Sequence, residues 1–248
     1  MSGPLDQYRA AWDQKPLLRR VYDDIYDRIA VACVQGPTLE IGGGIGQFKA
    51  RFPNTIATDI QSGPWLDLVT DAQALPFAPT SIANIVMVDV LHHIEFPILF
   101  LKEAERVLRP GGRLVMVEPA ITWASSLFYR LLHHEPVRMK VDPLSIGKPD
   151  GMRDPYKSNQ AIPTLLVSRD RARLRQLLPS LQIIRTDWFS LWVYPLSGGF
   201  KRWSLLPDRA GSLILGLEKK LEPVLGRFLA FRLLTVMAKQ SARQGACY

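Results

Sequence analysis

Apolar residues recur every three or four positions over residues 16–31. Leu18, Val21, Tyr22, Ile25 and Ile29 carry the repeat, with Asp23, Asp24, Asp27 and Arg28 between them. That spacing predicts an amphipathic helix. Gly36-Pro37 punctuates the chain, and Thr38–Ile41 then reads as a short strand that runs into a glycine-rich turn, GGGIG. A short helix is expected through Phe48 and Phe52, followed by a strand over Thr55–Thr58 that stops on Asp59. SIANIVMVDV (81–90) is a nearly unbroken apolar run, as expected of a strand covered on both faces. Helical spacing returns over Phe96–Leu108 until Pro110-Gly111-Gly112 ends it, and RLVMVE (113–118) reads as another strand. Strands alternating with helices imply βαβ units. The fold class is therefore α/β, with residues 36–119 supplying the first five strands of a doubly wound, mostly parallel sheet.

The second half is less regular. ITWASSLFYRLLHH (121–134) has the spacing of an amphipathic helix, and residues 135–160, rich in Pro, Gly and Asp, read as a long loop. Loops of that length in compact domains are often functional lids. Ser168 is placed to cap a helix over 169–178, and LQIIRTD (181–187) reads as a strand. Residues 188–210 mix Trp188, Trp192, Tyr194 and Trp203 with Gly198 and Gly199, and they take no firm assignment. Residues 212–229 read as helical, with Pro223 opening a second helix. Phe231–Lys239 fits either a continuation of that helix or a last strand.

Composition adds two constraints. Cys33 and Cys247 are the two cysteines of 248 residues, too few for a disulfide framework or a four-cysteine zinc site. A reducing, cytoplasmic compartment is the expectation, since MSGPLDQYRAAWDQ shows no signal-peptide pattern. No apolar run approaches the roughly 18 residues of a membrane span. The formal charge of +8 is unevenly distributed. Residues 1–119 hold 11 basic and 14 acidic side chains, whereas residues 120–248 hold 20 and 9, a net of +11. Such asymmetry points the second half toward nucleic acid, anionic lipid or an anionic substrate, or marks a plain solvated basic face.

The glycine turn carries the first chemistry. Glu40 ends a buried strand, and Gly42, Gly44 and Gly46 follow at every second position. A turn without side chains lets a ligand approach the backbone, and the helix beyond it offers free N–H groups. The dinucleotide pattern G-x-G-x-x-G fails, because position 47 is Gln47, and there is no G-K-[ST] P-loop. Three further carboxylates each follow a predicted strand. Asp59 is placed to accept hydrogen bonds from ribose hydroxyls, Asp71 to accept from an adenine amine, and Asp89 lies beside the expected cleft.

LEIGGGIG (39–46), ATDI (57–60), DAQALPF (71–77), VMVDVLHHI (86–94) and VLRPGGRLVMVEP (107–119) together resemble the class I S-adenosylmethionine-dependent methyltransferases, in particular the ubiquinone/menaquinone-biosynthesis subgroup. These stretches cover about a third of the chain. The resemblance implies S-adenosylmethionine as cofactor, with Glu40, Gly42, Gly44 and Gly46 at its methionyl part. It implies Asp59 at the ribose, Ile60 against the adenine, Asp71 and Ala72 at the adenine edge, and the backbone of Val88 and Asp89 at the amino-acid end. It also implies a Rossmann-like sheet closed by an antiparallel last strand, which favours a strand over Phe231–Lys239. The chain is then one methyltransferase domain. Residues 1–35 are an N-terminal helical segment, 36–119 the cofactor core, and 120–160 and 188–230 helical and loop cap insertions that select the substrate.

Methyl transfer to a hydroxyl is helped by a general base, and histidine suits neutral pH. His92 and His93, at the expected cleft mouth, are the candidates; the same pair also suits a structural role. His133-His134 beside Glu135 suggest a metal only weakly, since adjacent histidines are poor ligand spacing, and no metal is expected. Three acceptor classes compete: a small molecule or sugar, a lipid-linked or polysaccharide precursor, and RNA. A basic, apolar segment at 212–229 supports docking on an anionic membrane, although Glu218 and Glu222 dilute its charge. The lack of a recognisable RNA-binding module or an N/D-P-P-[YF] motif argues against nucleic acid. A non-catalytic S-adenosylmethionine-binding protein on the same fold is the fourth reading. The sequence leaves the oligomeric state open.

Overall fold

A computed structural model describes residues 4–132 and 135–241. In chain order the elements are α1 (Pro4–Gln14), α2 (Pro16–Ala32), β1 (Thr38–Ile41), α3 (Gln47–Arg51), β2 (Thr55–Asp59), β3 (Leu68–Val69), β4 (Ile82–Val88), α4 (Pro97–Val107) and β5 (Leu108–Pro119). There follow α5 (Trp123–Leu132), α6 (Ile162–Val167), α7 (Arg171–Leu177), β6 (Leu181–Phe189), α8 (Val193–Leu196), α9 (Asp208–Leu229) and β7 (Arg232–Lys239). A 3-10 turn, Leu91–His93, follows β4.

The strands form one seven-stranded sheet in the order β3-β2-β1-β4-β5-β7-β6. β1 to β5 are mutually parallel, and β7 runs antiparallel to both β5 and β6. The expected mostly parallel, Rossmann-like sheet with an antiparallel last strand is what forms. Successive residues of a strand face opposite sides, so the apolar runs feed two cores. Ile85, Met87, Leu114 and Met116 pack with residues of α4, α6 and α7. Val86, Val115 and Val117 pack with α2, Phe48 and Val193. Order reverses between β1 and β4, and such a switch point opens a crevice at the carboxyl ends of the strands. Glu40, Asp59 and Val88 stand at or next to those ends.

Three local expectations change. α9 is one helix with Pro223 inside it, not two helices. Pro223 is exposed, so water can reach the carbonyl its ring leaves unbonded. Ser168 does not cap the following helix. Its hydroxyl donates to Thr164 O at the end of α6, and α7 starts after Asp170. α6 was not expected, whereas α1 falls within the helical segment expected over residues 1–35 without an apolar repeat of its own. The expected long loop is present, with no helix or strand between residues 135 and 160. His133 and His134 lie outside the described residues. No described helix is long and apolar enough to cross a membrane.

Candidate active site

The turn after β1 is built by left-handed glycines. Gly42, Gly44 and Gly46 have φ of +73°, +50° and +79°. At Gly46 space is also decisive: a Cβ there would meet the Trp65 ring at 2.7 Å. At Gly44 a Cβ would meet only Gly42 O, at 3.8 Å, so that backbone faces open space. The turn is held from three sides. Gly43 N donates to Thr58 O at 2.9 Å, Gly44 N donates to Asp59 Oδ2 at 3.0 Å, and Trp65 Nε1 donates to Gly44 O at 2.6 Å. Arg9 of α1 stacks its guanidinium over Trp65, 4.4 Å from the ring centroid, and so ties the N-terminal helix to the turn. Arg9 and Trp65 were not singled out from the sequence. A lone tryptophan after β2 carries no motif.

Asp59 Oδ1 also accepts from Gln61 N at 3.0 Å. Two backbone donors fix this carboxylate, and each oxygen keeps acceptor capacity for a diol. Ile60 beside it is exposed. Asp71 closes its own turn, accepting from Gln73 N at 2.8 Å, while Ala72 is buried in the core. Gln73 Oε1 accepts from Phe96 N at 3.0 Å and joins this loop to the start of α4.

Glu40 is buried, and its Oε2 has no partner. Burial, then the neighbouring Asp59, push its carboxyl up to about 8. An orphaned acidic oxygen at the mouth of an open glycine turn fits a ligand that brings a positive charge or hydroxyl donors. The sulfonium, ammonium and ribose of S-adenosylmethionine supply both.

Asp89 sits at φ +59°, where aspartate is one of the few tolerated side chains. Its amide donates to Val117 O at 2.9 Å. Its carboxylate pairs with Arg232 of β7 and accepts from Tyr22 OH at 3.4 Å. Arg232 is buried, and its guanidinium lies 4.2 Å from the Tyr194 ring centroid. The Asp89 side chain and amide are thus both engaged by the protein.

The two histidines divide sharply. His92 is buried, with Nδ1 2.7 Å from Glu118 Oε2 and Nε2 3.6 Å from Glu135 Oε2. Burial alone would lower its pKa, but the hydrogen bonds and charges of Glu118 and Glu135 outweigh it and raise the group to about 9. Glu118 also accepts from Val90 N and Leu91 N at 2.9 and 2.8 Å. His92 is therefore a charged pin holding the 3-10 turn to the end of β5. His93 is half-buried, its Nδ1 is unpartnered, and burial followed by the adjacent His92 charge lowers its pKa. It is the neutral imidazole of the pair. Glu118 was not singled out from the sequence. Its signal was the one that marked Glu40 and Asp59, an acid at the end of an apolar strand.

His92, His93 and Glu135 bring one ligand atom each within 4.8 Å of one another. Of these, His92 lies between the Glu118 and Glu135 carboxylates, and His93 Nδ1 is unpartnered. The raised pKa has a consequence for stability. The folded value lies above the roughly 6.5 of a free histidine, so the contribution is complete below pH 6.5 and is lost as pH rises through 9. Urea unfolding should therefore show stability falling by about 3 kcal/mol across that window. His92→Asn should flatten the slope; an unchanged slope would contradict the assignment.

The roof of the crevice comes from distant segments. Tyr156, in the 135–160 loop, donates to Gln61 Oε1 at 3.3 Å, and Arg153 donates to His93 O. Tyr8 of α1 is 37% exposed, near Tyr156, Glu135, Tyr194 and Asp89, and burial first, then those groups, raise its pKa.

Residues 39–116 match the family model for a methyltransferase domain. An uncharacterized 37.1 kDa protein in transposon TN4556 of Streptomyces fradiae is 40% identical over 75 residues, 30% of this chain and 20% of that protein. The chain thus spans about a fifth of that relative's length. Solved structures share the fold at low identity. An S-adenosylmethionine-dependent methyltransferase of Thermotoga maritima aligns at TM-score 0.53 and 15% identity, covering 91% of each chain. One from Archaeoglobus fulgidus aligns at 0.52 and 13%, covering 90% of this chain and 94% of that one. The [4+2]-cyclase SpnF aligns at 0.54 and 18%, covering 89% and 82%. Residues 39–116 thus carry the sequence pattern of a methyltransferase domain, and the chain has the fold of those S-adenosylmethionine-dependent enzymes.

Proposed function

We propose that the protein transfers a methyl group from S-adenosylmethionine to a hydroxyl of a small-molecule, sugar or lipid-linked acceptor. The observation that carries the cofactor half is the orphaned Glu40 oxygen beside the open Gly44 backbone. Glu40, the turn from Gly42 to Gly46, and Asp59 would hold the methionyl and ribose parts. Ile60, Asp71 and Ala72 would border the adenine, and the Val88–Asp89 backbone the amino-acid end. The cofactor supplies an electrophilic methyl on a sulfonium. The protein's work is to align the acceptor oxygen in line with that methyl, which accounts for much of the acceleration in such reactions.

His93 is the proton acceptor in this reading, because it is neutral and has a free ring nitrogen. His92 holds the turn that carries it. Tyr8, Tyr156 and Tyr194 suit a polar acceptor, each bringing an apolar ring and a hydroxyl. Titration calorimetry with S-adenosylmethionine tests the cofactor half, and absence of binding would overturn it. Labelled methyl donor incubated with fractionated cell extract identifies the acceptor. On that acceptor His93→Gln should lower kcat about 100-fold with cofactor affinity unchanged, and an unaltered kcat would remove His93 from the role.

A second reading has one support. SpnF carries the same fold under the name of a cyclase, and fold alone does not set the reaction. Cofactor binding without label transfer to any fraction would favour it.

A further inference from the structure

α5 and α9 pack side by side. Thr122 Oγ1 donates to Ala230 O at 3.1 Å just before α5 and just after α9, and Phe128 meets Phe231 edge-on at 5.2 Å. Each helix leaves an apolar stripe in solvent. On α5, Trp123, Leu127 and Leu131 are exposed at four-residue spacing, with Arg130 among them. On α9, Leu213, Leu217, Val224 and Phe228 are exposed, with Lys220 and Arg227 on the same side. Trp123 is 75% and Leu213 80% exposed, far beyond the partial exposure of ordinary surface leucines.

The acids of α9 face the other way. Glu218 is fully buried and accepts from Val193 N at 3.2 Å. Glu222 pairs with Arg28 at 2.8 Å and accepts from Ser190 N. The two glutamates that dilute the segment's charge in the sequence therefore contribute nothing to its outer face. α5 contains no acid. The outward surface of both helices is apolar and cationic, and the exposed acid of α9, Asp208, stands at its first position.

We propose that this α5–α9 face docks on the surface of an anionic lipid bilayer. Apolar side chains, an exposed tryptophan and interleaved cations are the combination that holds a helix in the headgroup region. A second copy fits less well, because a two-fold contact would set Arg130, Lys220 and Arg227 against like charges. The inference concerns where the protein sits and holds whether or not the methyl-transfer reading does.

Co-sedimentation of the full chain with phosphatidylcholine vesicles, alone or mixed with phosphatidylglycerol, tests it. The protein should pellet with the mixed vesicles at low salt, stay in solution with the neutral ones, and be released by high salt. Lys220→Glu/Arg227→Glu should weaken partitioning at least about tenfold, from about fivefold per cation near an anionic surface. Phe228→Ser should weaken it without changing its salt dependence. Both variants should keep the wild-type circular dichroism and cofactor affinity. A wild-type protein that stays in solution with anionic vesicles overturns the proposal. So does binding that these variants leave intact, or a lipid-free dimer by light scattering that they dissociate.

Discussion

Glu40→Gln is expected to make the ligand-free protein more stable while weakening S-adenosylmethionine binding. The two effects share one cause. In the free protein the Glu40 carboxyl is buried, with one oxygen unpartnered, and its pKa is raised to about 8. A carboxyl whose folded pKa lies above its unfolded value destabilises the fold progressively as pH rises from about 4.5 to 8. At pH 7 that penalty is about 3 kcal/mol, and the neutral amide removes most of it. Binding moves the other way, because the charge that is costly in the empty site is what a cationic ligand recognises. A loss of at least about tenfold in affinity, or about 1.4 kcal/mol, should follow. Thermal unfolding with and without cofactor reads both quantities. A variant that binds normally would show that Glu40 holds no part of the ligand.

Asp89→Asn is expected to cost about 3–4 kcal/mol of stability. Asparagine tolerates the left-handed backbone at this position, so the change isolates the charge. It leaves the Arg232 guanidinium, 2% exposed, without its counter-ion, and an unpaired buried charge is far more costly than a lost surface pair. Adding Arg232→Met should recover much of the loss, since the double variant buries neither charge. Urea titration of the four proteins measures the coupling, and a single-variant cost below about 1 kcal/mol would refute this account.

Much of this fold is legible in the chain because a parallel sheet covered on both faces writes its strands as apolar runs. Ile82–Val88 and Leu114–Val117 are such runs, and the acids that end strands stand out against them. Two elements lack an apolar repeat for physical reasons. α6, IPTLLV, is buried on almost all sides and shows no polar face. α1 is largely exposed and polar, and it is oriented by Arg9 on Trp65 and by Tyr8 against Phe200. The candidate site carboxylates were legible because each stands at or just after the end of its own strand. The division between His92 and His93 was not, because it depends on Glu118 and Glu135, 26 and 43 positions away. The Asp89–Arg232 pair spans 143 positions, and no local pattern announces it.

The sheet order also says something about synthesis. Among the described residues β7 is the last strand in the chain, yet it lies between β5 and β6. β6 has no neighbour in the sheet except β7, so it must wait unpaired until some fifty further residues have emerged. The same late strand delivers Arg232, the counter-ion of Asp89. The switch point between β1 and β4 can therefore be laid down early on the ribosome. The Asp89–Arg232 pair is completed later, and a chain interrupted before residue 232 leaves an open sheet edge and an unneutralised Asp89.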